Sequence, residues 1–166
     1  TNLFVRYILI FLAGLGNLWL FYKILTPSTI HTISILFSII TKTTIIENKI
    51  ITSFITIELI PACIAGAAFY LLFILNLSTP QIKTKKRIKL LLFTFTSLFV
   101  LNILRILILI SIFNTIYFNT FHWIFWHILS TIFVFSVWIL AIKLYKLKNI
   151  PIYTDAKYLI KTIKQK

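Results

Sequence analysis

Apolar residues fall into four long runs along this chain, separated by short polar or basic stretches. The first covers about 3–25 and is stopped by Thr26-Pro27-Ser28; the others cover about 59–77, 88–113 and 121–142. Each comes close to the roughly 20 apolar residues that carry an α-helix across a bilayer. The pattern therefore predicts four transmembrane helices. Arg6 and Lys23 lie near the ends of the first run, where long side chains can snorkel. Pro61 falls in the first turn of the second, where its missing N–H costs nothing.

Between the first two runs the pattern changes twice. Over 29–42, His31, Ser34, Ser38 and Thr41 share one helical face, and Ile30, Ile33, Phe37 and Ile40 the other. At about fourteen residues this is short for a span, so it predicts an amphipathic helix lying in the interface, with a fifth span as the alternative. Over 43–57 β-branched residues dominate and Glu47-Asn48-Lys49 makes a turn, which predicts a short β-hairpin outside the hydrocarbon. The expected fold class is an all-α integral membrane protein with one membrane domain over 1–166, an interfacial helix and an external hairpin.

Composition agrees. Of 166 residues 60% are hydrophobic and 12% charged, with mean hydropathy +1.00, more apolar side chain than a soluble domain of this size can hide. The net charge of +14 comes from 17 Lys and Arg against three acids. These bases are clustered between apolar runs, which fits an anionic leaflet better than a nucleic acid. The bases of 83–89 and of the tail 143–166 place both segments in the cytoplasm, and with four spans the N-terminus joins them. The hairpin and the turn 114–120 are then external, and the tail is expected on the membrane surface. The first run is too long for a signal-peptide core and is read as a retained span.

Three chemistry-bearing residues fall at one depth. Counted from the basic ends of their spans, Cys63, Arg105 and His127 each lie roughly 20–25 Å above the cytoplasmic interface, at about 1.5 Å per residue. Cys63 is the only cysteine, so no internal disulfide forms, and it opens a helix whose dipole favours a thiolate. Its neighbours include Gly66 and four alanines, which let another backbone approach. Arg105 is a permanent charge inside a span, costing about 2.5–3.5 kcal/mol at the centre. Asn102 is one turn earlier on the same face and can hold the guanidinium. Ser130 and Thr131 lie one turn beyond His127 and can fix its tautomer.

Each residue also has an ordinary explanation: a small core thiol for Cys63, a snorkelling side chain for Arg105, an interfacial ring among Trp123, Phe125 and Trp126 for His127. His122 competes with His127 for the role facing the thiol. Glu58, beside the Cys-bearing turn, either meets a substrate or caps that helix. No Gly-rich phosphate loop, zinc-binding helix or CxxC pair occurs, so no metal or cofactor is expected.

A thiolate, an imidazole and a fixed cation make an acyl-transfer set: Cys63 attacks a peptide carbonyl, His127 manages the proton, and Arg105 favours the thiolate or holds the oxyanion. Here the chain resembles the exosortase/archaeosortase family of membrane cysteine transpeptidases, in its compact archaeal form. The resemblance covers about 45–140 and rests on Pro61-Ala-Cys63-Ile-Ala-Gly66 opening a span, Asn102-Ile-Leu-Arg105 in the next, and His127 in the one after. The family's Ala-Cys-Ser-Gly motif is departed from at Ile64-Ala65. The resemblance implies a multi-pass cell-membrane enzyme acting at the external face. Its partners would be secreted precursors bearing a C-terminal sorting signal, with a hydrophobic helix and a basic end. It would cut at the signal and transfer the new C-terminus to a membrane lipid or envelope acceptor. Two other classes remain: a small transporter using Arg105 and His127 as pathway residues, and a structural membrane subunit.

Overall fold

The computed structural model describes residues 3–15 and 18–147. The expected surface-lying tail beyond 147 is outside the described residues. The chain is mostly helical: α1 Leu3–Gly14, α2 Trp19–Ser38, α3 Pro61–Ile64, α4 Gly66–Ser78, α5 Thr84–Ser111, α6 Phe118–Ile124 and α7 Ser130–Leu144. A π-helical turn, Phe125–Leu129, joins α6 to α7. Three strands, β1 Thr44–Ile46, β2 Lys49–Ile51 and β3 Thr56–Glu58, form one antiparallel sheet in the order β1-β2-β3.

Three helical stretches are long and apolar enough to cross a membrane: Pro61–Ser78, Thr84–Ser111 and Phe118–Leu144. A fourth exists if α1 and α2, bent by 65° against each other, count as one span. These lie over the apolar runs read from sequence, with two differences. First, the helix does not stop at Thr26-Pro27-Ser28. It runs through Pro27 to Ser38, so 29–38 is the second half of α2. Proline removes one backbone bond, and the Ser28 and Thr32 hydroxyls bond back to the carbonyls of Ile24 and Ser28, both at 2.8 Å. Beyond the proline, Ile30 and Ile33 are buried against the sheet, which holds the helix on.

Second, the expected hairpin gains a third strand. Glu47 takes φ 52° in the two-residue β1–β2 turn, as such turns require. The chain then reverses again where the Thr52 N–H donates to the Ile55 carbonyl at 3.0 Å. Ile50 and Ile57 pair across β2 and β3 and face inward.

Two cores result. Phe69, Leu72, Leu90, Leu98, Val134 and Trp138 lock α4, α5 and α7 together. Ile33, Ile50, Ile57, Ile64 and Ile103 join α2, the sheet, α3 and α5. Glycine allows close approach at two places: a Cβ on Gly14 would stand 2.5 Å from the Tyr70 hydroxyl, and one on Gly66 would stand 2.8 Å from the Tyr22 ring. Arg6, expected to snorkel, is buried at 2% exposure.

Candidate functional site

The site grows from a break in a helix. Pro61 starts α3 after the extended Ile60, and the helix ends after a single turn because Ala65 adopts φ 59°, ψ 32°. Helix α4 begins afresh at Gly66. An alanine in the left-handed region costs about 1–2 kcal/mol, and a helix break leaves carbonyls without intrahelical partners. In apolar surroundings such groups must be satisfied from elsewhere.

Helix α5 supplies the partners. The Arg105 Nη2 donates to the Ala62 carbonyl at 2.9 Å, and the Asn102 amide donates to the Cys63 carbonyl at 2.9 Å. The other Arg105 Nη donates to Ser130 Oγ at 2.7 Å, and Ser130 in turn donates to the Phe125 carbonyl at 3.1 Å. One guanidinium therefore ties the break at Ala65 to the π-helical turn in the neighbouring span. Arg105 is 3% exposed and Asn102 2%, so neither side chain snorkels to water. The Arg105 Nε has no partner among the described residues.

Cys63 is half-buried. It lines a cavity of about 220 Å³ between β3, the C-terminal part of α5 and α6. The walls are apolar, with Ile106, Leu109, Ile110 and Phe113 from α5. Cys63, Glu58 and His122 are its ionisable groups. The His122 ring stacks on Phe118 at 5.7 Å between centroids.

The structure thus brings together Cys63, Arg105, Asn102, Ser130 and Glu58, but not His127. His127 is exposed, its Nδ1 lies 3.1 Å from the carbonyl of Trp123 on its own helix, and it packs against Trp123 and Trp126. It does not line the cavity; His122 does. Other roles shift as well. Asn102 holds the Cys63 carbonyl rather than the guanidinium, and Ser130 serves Arg105 rather than His127. Thr131 bonds the His127 backbone carbonyl. Glu58 caps nothing: it belongs to β3, pairs with Lys49 at 3.5 Å and lies at the cavity. The Tyr22 ring fills the space that Gly66 leaves. Finally, a four-residue helix carries little macrodipole toward the thiol.

Among the described residues no group of His, Cys, Asp and Glu is arranged to hold a metal ion. No known protein family, curated protein or solved structure matches the chain.

Proposed function

We propose that this is an integral membrane cysteine peptidase or transpeptidase, with Cys63 as nucleophile and His122 as the proton carrier. The observation that carries it is the shared cavity: the only thiol of the chain, an imidazole and a carboxylate line one apolar pocket beside a buried guanidinium.

The Cys63 sulfur attacks a peptide carbonyl carbon while its proton passes to a His122 ring nitrogen. The C–N bond breaks, the leaving amine takes that proton, and the acyl group stays on sulfur as a thioester. Water hydrolyses the thioester, or an amine or hydroxyl of a lipid or envelope acceptor takes the acyl group; the acceptor's proton returns to sulfur through His122. Arg105 is a positioning residue. It fixes the peptide preceding Cys63 by donating to the Ala62 carbonyl.

The resemblance to exosortases and archaeosortases supports Cys63 as nucleophile and the part of Arg105, while it points to His127 rather than His122 for the histidine. Their motif carries glycine two places after the cysteine, at the position of Ala65, and φ 59° is the conformation a glycine holds most cheaply. In this reading the apolar helices lie in the cell membrane, the sheet and Cys63 face outward, and Lys83 to Lys89 face the cytoplasm. The substrates are secreted precursors with a C-terminal hydrophobic helix and basic end. In cells whose own copy is replaced by Cys63→Ala, secreted proteins should keep C-terminal apolar segments that wild-type cells remove, read by mass spectrometry of their C-termini. Identical C-termini in both strains would refute the proposal.

One observation favours a second reading, transport: a broken helix is how many transporters build a substrate site. Against it, the carbonyls of Ala62 and Cys63 that the break frees are taken by Arg105 and Asn102. They are not left for a passing ion.

A further inference from the structure

We infer that the substrate of this site is an extended peptide that adds as a fourth strand to β3, with an apolar side chain seated in the cavity beside Cys63. The inference rests on the cysteine peptidase reading and names how its substrate is held.

Strand β3 pairs with β2 as Lys49↔Glu58, Ile50↔Ile57 and Ile51↔Thr56. On either side, the Thr52 N–H donates to the Ile55 carbonyl and the Leu59 N–H donates to the Asn48 carbonyl, both at 3.0 Å. Hydrogen-bonded pairs alternate in an antiparallel ladder, so Ile57 bonds to β2. The main-chain groups of Thr56 and Glu58 then point to the opposite edge. Among the described residues no strand pairs there, since the sheet ends at β3. An open edge of this kind is a ready template for another extended chain.

Position makes this edge a substrate track. The cavity is lined by Thr56, Ile57 and Glu58 and, further along the same stretch, by Leu59, Ile60 and Cys63. The backbone stays extended to Ile60 and turns into α3 only at Pro61. A strand added to β3 therefore runs toward the sulfur. Across from it, Ile106, Leu109, Ile110 and Phe113 offer room for one large apolar side chain. Glu58 at the cavity disfavours an acidic residue in the same place.

The test uses the chain's single thiol and peptide chloromethyl ketones, whose CH₂ carbon the thiolate alkylates with loss of chloride. Full-length protein in detergent is treated with acetyl-Thr-Val-Leu-chloromethyl ketone, with the analogue carrying Asp for Leu, and with versions N-methylated at one backbone position at a time. Labelling of Cys63 is followed by mass spectrometry, each rate divided by the iodoacetamide rate of the same sample. The Leu probe should outpace the Asp probe, and methylation at an edge-facing N–H should slow it, each by roughly tenfold. Thr56→Pro, which removes one outward N–H and no bond to β2, should slow the Leu probe similarly. Iodoacetamide labelling with no dependence on probe side chain or N-methylation would overturn strand addition and leave the thiol site standing. A thiol inert to every reagent would overturn both.

Discussion

Helix α5 carries two buried arginines, and they make a natural experiment within one molecule. Arg87 and Arg105 are 18 residues apart, about five turns, so they lie on one face of α5, roughly 27 Å apart. Each clasps one end of the neighbouring α3–α4 segment. Arg87 donates to the carbonyls of Asn76 and, at 2.8 Å, Thr79, while the Asn76 amide donates back to the Arg87 carbonyl. Arg105 donates to the carbonyl of Ala62, and Asn102 to that of Cys63. The two clasps are alike in purpose: each meets carbonyls that a helix end leaves open. What differs is the surroundings. The Arg105 end adjoins a cavity with a thiol, an imidazole and an open strand edge. A buried arginine by itself therefore marks a helix end that needs partners; the groups gathered near the Arg105 end are what the proposed site rests on.

Substitutions can separate the clasp from the chemistry. The largest effect is expected for Cys63→Ala, which should lower C-terminal processing by at least about 10³-fold while the folded protein survives. Next comes the histidine: His122→Ala should cost about 10²-fold or more in processing, and His127→Ala should stay within about twofold. The two arginines come third. Arg87→Ala and Arg105→Ala should each destabilise the protein by about 3 kcal/mol, read by thermal unfolding in detergent, because each strands buried carbonyls. Only Arg105→Ala should also change the alkylation rate of Cys63. Equal effects of both arginines on the thiol would erase the distinction between the two ends. The smallest effect is expected at the break itself. Ala65→Gly should raise stability by about 0.5–1 kcal/mol, as the relief of left-handed strain exceeds the added chain entropy.

The long helices were legible because hydrophobic runs and basic punctuation report them directly. The pairing of Asn102 and Arg105 on one face was legible too, since they are one turn apart. The break at Ala65 is not, because alanine carries no signal for a positive φ and the nearest glycine, Gly66, stands one place further along. Strand β3 was hidden for a related reason. The turn 52–55 reads Thr-Ser-Phe-Ile, without the Gly, Asn or Pro that announces a reversal. The helix through Pro27 escaped because tertiary packing of Ile30 and Ile33 outweighs one lost bond. The choice between His122 and His127 shows the limit of depth arguments. Counting residues gives height in a helix but not the direction a side chain faces, and the π-helical turn at 125–129 breaks the α-helical phase between His127 and the rest of its span.

The central claim is that Cys63 and His122 form one reactive site in which His127 has no part. It is tested most directly by the alkylation rate of Cys63 with iodoacetamide at neutral pH, in wild type, His122→Gln and His127→Gln. The account predicts a several-fold lower rate in His122→Gln and an unchanged rate in His127→Gln, since His122 is the histidine that lines the cavity of the thiol. A rate that falls with His127→Gln and not with His122→Gln, or that ignores both, would contradict it.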